Sequence, residues 1–186
     1  MRLNNPFKIR KTSTLLISII FSAIVSVDFN TSIYENIYLF LYLSIIFWGL
    51  IVLGISDYSS NKISNKIILM LISISLIFSA IDLQNNSFTL DNQSLLIHIS
   101  GGILGFTVFL VVYLLPKQIL GGGDVKLAGL IGIITGFPMV TIVLLLGLFS
   151  CVIIERIKKT SSSIPLGFYL VIITIIYLGI FNIFFQ

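Results

Sequence analysis

The sequence predicts an all-α, polytopic membrane protein of about seven helices. Three observations carry that expectation. Of its 186 residues, 57% are hydrophobic and only 10% are charged, whereas a soluble domain carries about 45–50% apolar and about 25% charged residues. The mean hydropathy is +1.12, more apolar surface than a water-soluble globule of this length can hide. The charged residues also fall at the ends of uncharged stretches. These stretches lie near the about 20 residues that a helix needs to cross a hydrocarbon core about 30 Å thick. Disorder is excluded by the same numbers, since disordered chains are rich in charge and poor in aromatics.

A basic tail (Arg2, Lys8, Arg10, Lys11) precedes an apolar run, and residues 12–27 give the first span. Ser26 lends this segment the outline of a cleavable leader, but further spans come at once, so it reads as a retained helix. Residues 1–35 therefore form a tail with one membrane helix, and residues 36–186 form the main membrane domain. In that domain residues 36–56, 67–81 (extended back to Ile63) and 92–116 give three more spans, each bounded by charge. Residues 127–154 are uncharged and contain Gly136-Phe137-Pro138. Proline removes a backbone donor and disfavours helix at the preceding residue, so two helices joined by a turn are expected there. A single long span would leave six. The last helix begins at Pro165, after Ser161-Ser162-Ser163, a combination suited to a helix start.

Charge supports the seven-helix count. With the N-terminus in the cytoplasm, the cytoplasmic segments are 1–11, 57–66, 116–126 and 155–163, and they hold all 11 basic residues. The other face holds Asp28, Glu35, Asp82 and Asp91 and no base. Cytoplasmic loops normally carry the Lys/Arg excess. A single span over 127–154 would carry Arg156, Lys158 and Lys159 to the wrong side. The formal charge of +4 therefore reads as membrane orientation, and no nucleic-acid partner is expected. One cysteine, Cys151, and one histidine, His98, exclude an internal disulfide, a paired-cysteine zinc site and a histidine metal cluster. Neither metal nor cofactor is expected. Cys151 reads as packing, His98 as a polar helix contact, and Phe181, Phe184 and Phe185 as an interfacial helix end. Gly101/Gly105 and Gly132/Gly136, each pair four residues apart, suit close helix packing.

Two acids remain for chemistry once the four outer-face acids are set aside and Glu155 is read as a solvated helix end. Asp57 ends the second span, before the polar segment 59–65. Asp124 comes after Gly121-Gly122-Gly123 and begins a helix. Three glycines break the preceding structure and leave a bare backbone against which another chain can lie, and an acid at a helix start is favoured by the dipole. If residues 136–138 turn at the outer boundary, the helix from Asp124 is about 20 Å long, about 10 Å short of the hydrocarbon thickness. Asp124 then lies within the membrane plane, where irregular backbone is tolerated only against protein or water. A hydrated cleft holding both aspartates is expected, open to the cytoplasm. Two carboxylates in one cleft do not both ionise readily; a shared proton lets one act as base and the other as acid. The plain alternative is that each aspartate merely caps a turn or helix.

Gly121-Gly122-Gly123-Asp124 reads as GxGD, a signature of intramembrane aspartic proteases. Extended to GGGDVKLAGLIG over residues 121–132, it closely resembles the prepilin peptidases, the type IV prepilin leader peptidases. Asp57 with Ile63-Ser64-Asn65 resembles that family's first aspartate and Ile-Pro-Asn, and Ile164-Pro165-Leu166-Gly167 resembles its Ile-Pro-x-Gly. The likeness runs from about residue 38 to the C-terminus. It implies an aspartic endopeptidase in the cell membrane, with Asp57 and Asp124 as the catalytic pair. It also implies a prepilin-like substrate (pilin, pseudopilin or archaellin) with a short basic leader, a glycine before the cut and an apolar helix after it. Gly121, Gly122, Gly123, Asn65 and Lys126 are the candidate substrate-binding residues. Ser64 replaces the usual proline, and Phe168 stands where a second proline is common. The N-terminal extension with paired cysteines is absent, so no methyltransferase activity is expected. A rival from another class is a transporter or proton conductor using both aspartates as relay groups; such folds often carry inverted repeats, and none is evident here.

Overall fold

The structure, a computed structural model, describes residues 11–25, 33–82, 89–90, 92–115, 121–158 and 165–184. Among them are seven helices: α1 (Lys11–Val25), α2 (Ile33–Ser60), α3 (Asn65–Ser79), α4 (Asn92–Tyr113), α5 (Gly122–Thr135), α6 (Met139–Lys158) and α7 (Leu166–Phe184). The helical architecture agrees with the sequence. One addition is a short antiparallel strand pair, β1 (Ile81–Asp82) with β2 (Thr89–Leu90), in register Ile81 to Leu90. The expected break at residues 136–138 separates α5 from α6. Gly136 makes the turn at φ +70°, a left-handed angle that a side chain disfavours. Two helices run past their expected ends: α2 continues one turn beyond Asp57, and α6 continues beyond Glu155. Local hydrogen bonding carries α2 further, with the Ser59 and Ser60 hydroxyls donating back to the Ser56 carbonyl. Arg2, Lys8, Arg10, Asp28, Asp91, Pro116, Lys117, the 161–163 serines and Phe185 lie outside the described residues, as do the side chains of Lys11, Glu35, Asp82, Glu155, Phe181 and Phe184.

Helix α5 forms the centre. It packs against α3, α4, α6 and α7, and Val125, Leu127, Ala128, Leu130, Ile131 and Ile134 are all buried. A helix that is apolar all round belongs in a core, and its sequence has no polar face to offer water. The same core includes Leu71 of α3, Phe109 of α4, Val140 of α6 and Leu170 of α7, and it continues through Leu43, Phe47 and Leu50 of α2, which packs against α1, α3 and α7. The glycine pairs bring α4 and α5 into backbone contact. A Cβ at Gly101 would strike the Gly132 carbonyl, and one at Gly105 the Ala128 carbonyl. His98 acts as expected: its Nδ1–H donates to the Ile133 carbonyl at 2.6 Å, satisfying an acceptor left open in the last turn of α5. Ser22 and Ser44 share a 2.6 Å hydroxyl contact that ties α1 to α2, and Cys151 is buried.

The outer surface is largely apolar, with Leu16, Leu69, Leu96, Ile103, Val111, Phe149 and Val152 all exposed. Among the described residues, two stretches, Ile37–Ser60 and Leu95–Tyr113, are long and apolar enough to cross a membrane, and four further apolar helices are shorter. The helix ends that carry polar groups converge. The C-terminal end of α2 and the N-terminal ends of α3, α5 and α7 meet at one end of the bundle. The turn after α5 and the start of α4 meet at the other, where the Phe137 N–H donates to the Ile97 carbonyl.

Candidate active site

Asp57 sits one turn before the end of α2 and is 5% exposed. Its carboxylate does not cap the turn after it. Oδ2 instead accepts the Phe168 N–H of α7 at 3.0 Å, across 111 residues of chain. The Gly167 N–H faces the same carboxylate. Asp57 thus shares the Phe168 N–H with the Pro165 carbonyl, which accepts it at 3.2 Å, at the start of a distant helix where the dipole favours negative charge.

Asp124 occupies the third position of α5. Its Oδ2 accepts the Gly121 N–H at 3.1 Å while the Asp124 N–H donates to the Gly121 carbonyl. The side chain caps its own helix and stays half-buried. The Asp57 charge acts on Asp124, and the Gly167 N–H faces Asp124 as well. Two carboxylates from α2 and α5 therefore converge near the start of α7, where Gly167 lies against Asp57. Asp124 is the accessible member and Asp57 is nearly covered, because the first turn of α7 lies over it.

Gly167 makes this approach feasible. A Cβ there would stand 2.9 Å from Asp57 Oδ2 and 3.1 Å from Ile63 Cδ1. Ile63 also fills the space beside Gly123, 3.2 Å from where a Cβ would be. One isoleucine thus wedges the loop after α2 against both α5 and α7. The triple glycine is less bare than expected: Gly122 faces open space and Gly121 only Asp124, but Gly123 is covered by Ile63. The α2–α3 loop is held by Asn61 in the left-handed region at φ 49°, which asparagine tolerates. The Ser56 hydroxyl reinforces it by donating to the Lys62 carbonyl at 2.6 Å.

Asn65 and Lys126 meet each other. Lys126 Nζ donates to Asn65 Oδ1 at 3.0 Å, joining the starts of α3 and α5 on the exposed side of the aspartates. Ser64 takes φ −75° and ψ 114° and makes no side-chain cap. Proline adopts that φ without strain. Ser64→Pro is therefore expected to stabilise the protein by about 0.4–1 kcal/mol through a stiffer unfolded chain, read as a rise in melting temperature. A lower melting temperature would show that the Ser64 hydroxyl or N–H does more than the geometry indicates.

The amides of Gly167 and Phe168 and the wedge of Ile63 are site features that residue-type reasoning does not name. The only sequence signal for the first two is Pro165 at a helix start with glycine two residues later.

A model of the type IV leader peptidase family matches residues 44–155, more than half of the chain. The matched stretch contains Asp57, Asn65, the glycine run, Asp124 and Lys126, and it ends before Gly167. Comparison with curated proteins and with solved structures finds no match.

Proposed function

Because the chain belongs to the type IV leader peptidase family, we propose that it is an intramembrane aspartic endopeptidase that removes the short basic leader from prepilin-like precursors. The observation that supports this reading is that Gly167 lies against Asp57 and Ile63 while Gly123, next to Asp124, lies against the same Ile63, so that the charge of Asp57 acts on Asp124.

The chemistry derives from the pair. Two adjacent carboxyl groups share one proton, and that proton belongs to the pair rather than to either residue. The ionised member accepts a proton from water as the water oxygen attacks the scissile carbonyl carbon. The protonated member donates to the carbonyl oxygen. On collapse of the tetrahedral intermediate one of its hydroxyls returns a proton to the ionised carboxylate as the carbonyl re-forms, the C–N bond breaks, the leaving amine takes a proton from the other carboxyl, and the pair again holds one shared proton. The Phe168 N–H, with Gly167 packed against the carboxylate, holds Asp57 in place throughout, so its geometry does not depend on substrate.

In this reading the seven helices span the cell membrane with the N-terminus in the cytoplasm. The apolar outer surface supports that placement, since soluble monomers rarely expose large contiguous apolar patches. The aspartate end then faces the cytoplasm, on the side of the basic loops. The 14 residues of α5 extend about 21 Å, so Asp124 lies below the lipid surface, and a substrate must bring its scissile bond down to it. Gly121, Gly122, Asn65 and Lys126 are the groups exposed along that approach.

The test is cleavage of a synthetic precursor by the purified protein in detergent or lipid nanodiscs. The precursor carries a basic leader, a glycine and an apolar helix. Mass spectrometry is expected to find one cut, after the glycine. An intact precursor after prolonged incubation with folded enzyme would defeat the proposal.

A further inference from the structure

Beside the aspartates lies a feature that the dyad does not use. A groove of about 750 Å³ runs between α3 and α4 with α5 as its floor. Asn65 and Lys126 close one end, and Ile72, Ile103, Phe106 and Ile133 form the walls. Along α3 the groove extends from Asn65 to Leu76, which at 1.5 Å per residue is about 16 Å, or three helical turns. Its polarity is graded. The polar atoms cluster at the Asn65–Lys126 end, and the Thr107 hydroxyl is turned back onto the Ile103 carbonyl at 2.8 Å. Leu69 and Ile103 leave most of their surface uncovered.

We propose that this groove receives the apolar helix on the C-terminal side of the substrate's scissile bond. The inference rests on the peptidase reading and adds where the substrate's body lies. Three features select a peptide helix as the occupant. The polar end lies close to the aspartates around the start of α5: Lys126 stands two residues after Asp124, about 3 Å further along the axis and on the opposite face, and Asn65 stands two residues after Ile63, the side chain wedged against Gly123 and Gly167. A chain that crosses the open start of α5 at Gly121 and Gly122 passes from Asp124 to that end of the groove. The length of three turns accepts apolar side chains at the i, i+3, i+4 and i+7 spacing by which helices seat in grooves. The grading also matches a substrate whose polar backbone at the cut gives way to apolar side chains. The groove thus discriminates among substrates by the segment C-terminal to the cut, whereas the aspartates read only the bond itself.

The test uses the full chain with Asp124→Asn, so that binding is measured without turnover. Two fluorescent peptides are compared, one with leader, glycine and apolar helix, the other truncated a few residues after the glycine. The variant is expected to prefer the long peptide. Ile103→Trp or Thr107→Trp, each filling the groove from an exposed position, lowers affinity for the long peptide about tenfold or more, down to that of the short one. Leu146→Trp, on the exposed face of α6 away from the groove, leaves that preference intact. A photoreactive residue at position 103 is expected to crosslink to the apolar part of the peptide. Unchanged long-peptide affinity in both groove variants, with the fold retained, overturns the proposal. So does native mass spectrometry showing that the tryptophans expel a bound phospholipid without affecting the peptide. The two readings fail separately. An Asp-intact enzyme that binds the long peptide at the groove but cuts neither defeats the peptidase reading alone. One that cuts long and short peptides equally well, with no effect of the tryptophans, defeats the groove alone.

Discussion

Asparagine at position 57 or at position 124 is expected to abolish cleavage while leaving the protein folded. The substitution keeps the shape of the side chain and an oxygen able to accept a hydrogen bond. In Asp57→Asn that oxygen can still receive the Phe168 N–H, and in Asp124→Asn the Gly121 N–H, so the attachments of α2 to α7 and of α5 to its own first turn survive. The lost charge at the helix start costs about 0.3–1 kcal/mol, seen as a small fall in melting temperature. Proton transfer is lost outright. A positioned acid or base contributes about 10²–10⁴-fold to rate, and each aspartate serves in both halves of the reaction, so a fall of about 10³-fold or more is expected for either change. Asp57→Glu tests position instead of charge. It restores the carboxyl group but extends it by about 1 Å, a misplacement worth about 10²-fold, in a pocket where Asp57 is 5% exposed and covered by α7. Substantial cleavage by either asparagine variant would remove the dyad from the mechanism and return both aspartates to helix caps.

That capping role is present in the structure, and it explains which parts of the site the sequence makes legible. Asp57 and Asp124 stand out because an acid bordering an apolar stretch is costly and therefore conspicuous. The Gly136-Phe137-Pro138 turn is readable because proline and glycine act on the local backbone. The glycine spacing of α4 and α5 is readable because close helix contact demands small residues. The partner of Asp57 is not readable, because it is a pair of backbone amides. Every residue but proline carries one, so Phe168 gives no sign that its N–H is engaged 111 residues away. The groove is hidden for a related reason. Ile72, Ile103 and Ile133 are ordinary membrane-protein residues, and only tertiary packing separates a concave wall from a lipid-facing ridge. The Lys126–Asn65 bond illustrates a third limit. Both residues are recognisable as candidates for contact with substrate, yet nothing in their types indicates that each is the other's resting partner.

Gly167→Ala is expected to cost about 10²-fold in activity without removing any chemical group. The added methyl would stand 2.9 Å from Asp57 Oδ2, 3.1 Å from its Cγ and 3.1 Å from Ile63 Cδ1. The carboxylate is short, buried and tied to Phe168, so it has little freedom to yield. Either it rotates away from the Phe168 N–H, or the first turn of α7 lifts from α2. Both displace one member of the dyad by a fraction of an ångström to an ångström, for which about a 10²-fold loss in rate is expected. Overpacking costs a further about 1–3 kcal/mol of stability. The loss belongs to kcat, because the substrate-facing groups around Gly122 and Lys126 are untouched. Gly122→Ala is the matched comparison. No atom lies within 4 Å of its added methyl, and alanine is the better helix former by about 1 kcal/mol. It is expected to retain kcat and stability, with KM rising where the substrate backbone passes over it. Combining Gly167→Ala with Asp57→Asn separates positioning from packing. If glycine acts through Asp57, the double variant is no less active than Asp57→Asn alone. A further fall in the double variant, or wild-type kcat in Gly167→Ala, would mean that α7 contributes to the bundle but not to the alignment of its acids.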